Sequence, residues 1–139
     1  MGKPRWHELE LAPAFYDVDP LAVVWHGNYV KYFELCRSEL LDKIGYGYQD
    51  MVRSGYSWPV VDIRVKFIRP AGLQQKIKVR AEIVEWENRL KVEYKVTDAA
   101  TGAKLTTGYT IQVAVDMMSG ELQFVCPKAL WDALGVPHP

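Results

Sequence analysis

Beyond Trp58 the chain falls into a period of two that leaves few folds open to it. Val61, Ile63, Val65 and Phe67 alternate with Asp62, Arg64 and Lys66, and Ile77, Val79, Ala81 and Ile83 alternate with Lys78, Arg80 and Glu82. Leu90, Val92, Tyr94 and Val96 repeat the pattern, and Leu105, Thr107, Tyr109, Ile111, Val113 and Val115 continue it. Such alternation describes strands with one buried and one wet face. Breaks at Pro70 and Gly72, at Asp98 to Gly102 and at Ser119-Gly120 are short, which predicts an antiparallel meander ending in a short strand near Leu122 to Val125. A sheet of this kind needs something to cover its inner face. From Tyr29 the apolar residues Tyr32, Phe33, Cys36, Leu40 and Ile44 recur every three or four positions, with Lys31, Arg37, Ser38 and Asp42 between them. That spacing predicts one long amphipathic helix, beginning near Gly27 or Asn28 and ending at Gly45, followed by a short helix over YQDMVRSG to Gly55. With an early strand over about Glu8 to Phe15 and a terminal helical turn over Lys128 to Leu134, the class is α+β, a curved antiparallel sheet packed on one central helix.

At 139 residues the chain fits a single domain over 1–139. Lys+Arg and Asp+Glu are both 17, so nothing global draws it to nucleic acid or to an anionic membrane. MGKPRWHELELAPAF is no secretory signal, and no apolar stretch approaches the ~18 residues that span a bilayer, so a soluble cytoplasmic protein is expected. Gly2 does not make a myristoylation site, since Trp6 stands where that motif has Ser or Thr. Cys36 and Cys126 are far apart and without histidines at ligand spacing, which fits packing residues better than a disulfide or a zinc site.

The stretch FYDVDPLAVVWHGNY, Phe15 to Tyr29, is the exception to this apolar economy. It sets Asp17, Asp19, Pro20 and His26 directly before the most buried helix. Asp and Pro are ordinary turn formers, and a single histidine is more often structural than catalytic. Their conjunction has another reading. The unpaired N–H groups of a helix start favour developing negative charge, and beside a carboxylate and an imidazole they supply what attack on a carbonyl requires.

The pattern Y-D-x-D-P-x-x-x-V-x-H-x-N-Y-x-x-Y-x-E-x-x-R, from Tyr16 to Arg37, closely resembles the hotdog-fold acyl-CoA thioesterases of the 4-hydroxybenzoyl-CoA thioesterase and YbgC type. The resemblance implies a hotdog fold and hydrolysis of an acyl or aroyl thioester to the acid and CoA, with no metal or other cofactor. It places the catalytic carboxylate at Asp19, with His26 orienting the substrate or assisting proton transfer. Asp17, Trp25, Asn28 and Tyr29 support the site, and backbone N–H groups around Val24 to His26 and the helix start polarise the carbonyl. Ala22 stands where the family usually has glycine. Glu34 is a reserve catalytic candidate, because a related subgroup uses an acid on this helix, although a pair with Arg37 or Lys31 explains it as well. The resemblance also implies a CoA-binding hairpin at WENRLK, with Asn88, Arg89 and Lys91 near the nucleotide and Lys66, Arg69 and Lys76 as lesser candidates. Tyr46, Met51, Tyr56 and Trp58 are expected at the pocket mouth. The implied assembly is a homodimer, or a homotetramer formed as a dimer of dimers, with the site between subunits. Two other functions remain compatible: a thioesterase acting on an acyl carrier protein, and a non-catalytic acyl-thioester binding module.

Overall fold

The computed structural model describes residues 4–139, so Gly2 lies outside the described residues. Among the described residues, seven strands and three α-helices follow one another as β1 (Trp6–Leu11), α1 (Asn28–Lys43), α2 (Tyr48–Ser54), β2 (Tyr56–Ser57), β3 (Val60–Phe67), β4 (Ile77–Glu85), β5 (Leu90–Asp98), β6 (Lys104–Gln112), β7 (Val115–Asp116) and α3 (Lys128–Leu134). The main sheet is antiparallel and five-stranded, in the order β1-β4-β5-β6-β3. The long helix lies across it, as in the hotdog fold.

α1 forms where its periodicity places it, and Tyr29, Tyr32, Phe33, Cys36, Leu40 and Ile44 are all buried. Gly45 leaves the helix at φ 83, the left-handed conformation that ends helices at least cost in glycine. Phe33 stacks on Tyr94 of β5 with ring centroids 4.3 Å apart and planes 5° from parallel. Tyr94 pairs with Gly108 of β6, and a Cβ there would strike the Phe33 ring and the Arg64 carbonyl. The glycine is what lets the aromatic pair sit against the sheet. Arg37, expected on the wet side of the helix, is buried, held by Glu34 and reaching Thr110 Oγ1 at 3.5 Å.

Four expectations need correction. The sheet is not a simple meander: β4 to β6 are, but β3 pairs with β6, because the Pro70–Gly72 break serves a crossover in which the Ala71 carbonyl accepts Val24 N–H at 2.8 Å. The first strand stops at Leu11 rather than Phe15, since Pro13 removes a donor and Phe15–Asp17 coil into a 3₁₀ turn. The last long run breaks after Gln112, so Val115–Asp116 pairs instead with Tyr56–Ser57, and the strand expected near Leu122 to Val125 is a single bridge between Val115 and Leu122. Finally, the apolar side of β3 is covered only in part: Val65 packs against the core, and Phe67 meets the Tyr29 ring at one edge. α1 packs over β1 and β4, and on the opposite edge Val61 is 57%, Ile63 41% and Phe67 53% exposed. Among the described residues, no helix is long and apolar enough to cross a membrane.

Candidate active site

The segment before α1 closes into a small hairpin. Val18 and Val24 form an antiparallel bridge, Asp19 N–H donates to the Val23 carbonyl at 2.9 Å, and Ala22 N–H donates back to the Asp19 carbonyl at 2.9 Å. Asp19 Oδ1 accepts Leu21 N–H at 2.8 Å, the short-range bond that makes aspartate a turn former. Its other oxygen, Oδ2, takes no hydrogen bond from any described residue. The half-buried carboxylate is therefore fixed by one oxygen and open at the other.

The hairpin closes through Ala22 at φ 63, a left-handed conformation that strains any residue with a Cβ. A glycine here would make the same turn without that strain. Ala22→Gly is expected to stabilise the chain by roughly 0.5–1 kcal/mol, the strain relieved less the extra entropy glycine loses on folding. Thermal melts check this, and an unchanged or lower Tm would contradict it.

Asp17 locks the hairpin to the helix. Its Oδ2 accepts Ala14 N–H at 3.0 Å and the Tyr32 hydroxyl at 3.1 Å, and Lys31 Nζ lies 3.8 Å from Oδ1. Its carbonyl accepts Trp25 N–H at 3.0 Å and Asn28 Nδ2 at 2.7 Å. Burial first, and then the Asp17 carboxylate, push the Tyr32 phenol well above its usual range, so it stays a neutral donor. Tyr32 is absent from the sequence-derived site, although a buried phenol needs a partner and Asp17 was at hand.

These bonds narrow the oxyanion site. Val24 and Trp25 N–H are consumed by Ala71 and Asp17, and Asn28 N–H by the Trp25 carbonyl, so the donors expected around Val24 to His26 cannot all serve. Among the described residues, no acceptor takes the N–H groups of His26 and Gly27 at the entrance to α1. Gly27 has an ordinary φ of -68, and a Cβ there would meet the outer edge of the exposed Trp25 ring, which would have to turn aside. His26 is exposed, with its ring 4.8 Å from Trp25 and 6.4 Å from Phe67. Beside it a cavity of about 200 Å³ lies between Val24, His26 and Tyr29 on one side and Phe67, Ile68, Arg69 and Pro70 on the other. Asp19 borders the hairpin next to this cavity and does not line it. A larger trough of about 460 Å³ lies on the outer face of the sheet, lined mostly by charged side chains, away from the hairpin.

The sequence profile of the Thioesterase-like superfamily matches residues 13–133. The chain belongs to that superfamily. Within it, a Synechocystis protein named as an esterase, sll0410, is 28% identical over 131 residues, which are 94% of this chain and 79% of that one. The chloroplastic acyl-acyl carrier protein thioesterase ATL3 of Arabidopsis thaliana is 32% identical over 82 residues, 59% of this chain and 43% of that protein's length. Among solved structures, a DHNA-CoA thioesterase from Staphylococcus aureus superposes with a TM-score of 0.76 at 25% identity, covering 86% of this chain and 80% of that one.

In this thioesterase-like chain the other nominated residues are already engaged. Tyr29 is buried beside Tyr32 and Phe67, with centroids 5.9 and 5.6 Å away. Glu34 pairs with Arg37, the structural role weighed for it. Trp58 is not at a pocket mouth: it is buried, its Nε1–H donates to Tyr46 Oη at 3.1 Å, and Tyr46 and Met51 are buried beside it. Tyr56 is partly buried against the same core. Arg89 is a two-pronged partner of Glu85, through Nε at 2.8 Å and Nη2 at 3.1 Å. Asn88 Nδ2 donates to the Phe124 carbonyl at 2.6 Å, and Lys91 Nζ lies 4.7 Å over the Tyr109 ring. That hairpin is at the far end of β4 from Gly72, whose neighbours hold the Asp19 turn. Nine residues of strand, about 30 Å at ~3.3 Å each, separate the two ends. Of the lesser cations, Arg69 lines the cavity, Lys66 faces the outer trough and Lys76 is exposed ahead of β4.

Proposed function

We propose that this chain, a thioester hydrolase by family, hydrolyses acyl-CoA or aroyl-CoA to the free acid and CoA in the cytoplasm, with Asp19 as the catalytic carboxylate. What carries the reading is the Asp19 turn: one oxygen is tied to Leu21 and the other is open, in the hairpin that leads through Val24 to the untaken N–H groups of His26 and Gly27 at the entrance to α1. The open oxygen attacks the thioester carbonyl or takes a proton from a water that does so. The oxyanion forms against the helix entrance, where those donors and the helix dipole favour it. Collapse expels the thiolate, leaving the free acid directly where water attacked, or an Asp19 acyl anhydride that a water then cleaves to the acid and the Asp19 carboxylate, and His26 orients the substrate or assists proton transfer. Asp17, Tyr32 and Asn28 hold the geometry, while Trp25, Tyr29 and Phe67 supply aromatic walls for the acyl group. Two buried cysteines without a disulfide suit a reducing compartment.

The bare edge of β3 supports a homodimer. An edge strand with Val61, Ile63 and Phe67 exposed is an unpaired template, and antiparallel pairing of two β3 strands about a two-fold axis would extend the sheet. That operation brings the far end of one sheet beside the Asp19 hairpin of the other. The nucleotide of a substrate at one Asp19 would then meet the partner subunit's Arg89, whose Nη1 the Glu85 pair leaves open, and whose own Asp19 is a strand's length away. Arg89→Ala is expected to raise KM for acyl-CoA roughly tenfold or more, the usual scale for a charge-assisted contact, and to leave a truncated pantetheine thioester unaffected. Equal losses on both substrates would contradict the assignment.

The similarity to ATL3 favours one rival, a carrier-protein thioesterase. Comparing kcat/KM on CoA and carrier-protein thioesters of the same acyl group separates the two. A preference for CoA supports the proposal, and a preference for the carrier overturns the choice of thiol.

A further inference from the structure

Resting on the catalytic reading above, we infer that the cavity between His26 and Arg69 receives an acyl group that ends in a carboxylate. The preferred substrates are then monothioesters of short or aromatic dicarboxylic acids, with Arg69 as the residue that selects for the charge. β3 keeps its register with β6 as far as the Phe67–Thr106 pair and then loses it. The Leu105 carbonyl accepts both Ile68 N–H at 2.9 Å and Arg69 N–H at 3.0 Å, so two residues oppose one, which is a bulge. Phe67, Ile68 and Arg69 therefore line one cavity in succession, where regular alternation would have sent Ile68 to the opposite face. The bulge brings a cation to a wall that is otherwise apolar. Hydrogen bonds then hold that wall in register with the hairpin: Val24 N–H donates to the Ala71 carbonyl at 2.8 Å, Leu73 N–H donates to the Ala22 carbonyl at 3.2 Å, and Val23 bridges Gly72. His26 and Arg69, each two residues from one end of the Val24–Ala71 bond, border one space on a fixed frame.

The polar groups in that space are of one kind. His26, Tyr29 and Arg69 are the polar side chains of the lining, and the rest of it is apolar, with no carboxylate. Among the described residues, no hydrogen bond or ion pair engages the His26 ring, the Tyr29 hydroxyl or the Arg69 guanidinium. Arginine only donates, and tyrosine and histidine can donate with it. Three untaken donors, one of them permanently charged, match an acceptor that carries negative charge. A carboxylate offers two oxygens to them, while a hydroxyl would be served by Tyr29 or His26 and leave the guanidinium unanswered. Size agrees. A cavity of about 150 Å³ holds benzene, so about 200 Å³ leaves room for one ring and a carboxyl group, or for a chain of similar bulk. With the thioester carbonyl at the N–H groups of His26 and Gly27, the acyl group runs past the His26 ring toward Arg69. A phosphate of CoA fits less well, because the pantetheine arm carries it away from the carbonyl, whereas Arg69 shares a cavity with His26.

Pairs of substrates that differ only in charge test this. 4-Carboxybenzoyl-CoA against 4-isopropylbenzoyl-CoA, and adipoyl-CoA against 6-methylheptanoyl-CoA, exchange a terminal carboxylate for an isopropyl group of the same shape. The wild type is expected to favour the carboxylate in kcat/KM by ~10-fold or more in at least one pair, the usual scale of hydrogen bonds to a charged group. Arg69→Gln should bring that ratio to about one or below, and Arg69→Lys should keep part of it, which separates lost charge from lost folding. The ratio should persist in N-acetylcysteamine thioesters, which have no nucleotide. A wild-type ratio near one in both pairs would overturn the inference. So would an Arg69→Gln variant that loses equally on both members of a pair, which would give Arg69 to CoA. The two readings fail separately: thiol release without a charge preference strikes this inference alone, and a charge preference in equilibrium binding without thiol release strikes the catalytic reading alone.

Discussion

Replacing Asp19 with asparagine is expected to lower kcat by ~10²-fold or more while substrate still binds, since acid–base chemistry alone supplies 10²–10⁴. The change keeps the side chain's shape and leaves an oxygen to accept Leu21 N–H, so the turn should survive; what goes is the charge on the open oxygen. The neighbouring residues set a graded comparison. His26→Ala removes an exposed ring beside the cavity and should fall between Asp19→Asn and the rest. Asp17→Asn can still accept from Ala14 and Tyr32, so its effect on kcat should be smaller, with part of it appearing in the melt. Glu34→Gln weakens a pair with the buried Arg37 and should be milder still in rate. A well-folded Asp19→Asn with near-normal turnover would sink the assignment and promote Glu34.

Breaking the β3 edge should cost as much. Val61→Glu with Ile63→Glu puts carboxylates on a strand that is exposed in the single chain, so folding should be little affected. Across a two-fold axis the same carboxylates meet their own copies and repel. The expected result is a halved mass by light scattering and kcat/KM lowered by ~10²-fold or more, because in the proposed dimer the site loses the subunit that completes it. Unchanged activity in a demonstrably monomeric variant would contradict the shared site.

The elements were legible where one physical signal ruled. α1 and the strands β4 to β6 follow from periodicity because each buries a single face against the others. β3 has the same alternation, yet Val61, Ile63 and Phe67 on its apolar side stay largely exposed, since periodicity reports what a strand can bury and not which element arrives to cover it. The crossover was hidden for a related reason: Pro70 to Gly72 reads as a turn whether the chain folds back on β3 or travels to the loop before α1. In the candidate site, Asp19 and His26 stood out by type and position, while the roles proposed for them and for Asp17 came from the resemblance. The Tyr32 bond needed α1 placed against the hairpin, and the loss of Val24 and Trp25 as oxyanion donors needed the hairpin's own hydrogen bonds. Trp58 misled because an aromatic near a helix end looks alike in a core and at a pocket mouth, and only the Tyr46 contact tells them apart. The Arg89 pairing was hidden, since a hairpin cation four residues from an acid can already have a partner in Glu85.

The most direct test is a single turnover of one aroyl-CoA, with the chain in excess, following thiol release in parallel for the wild type and Asp19→Asn. The account predicts rapid release of one thiol per substrate by the wild type, and a bound, intact thioester persisting on the folded variant. Saturable binding by the wild type with no thiol released over hours would contradict it and leave a binding module in its place.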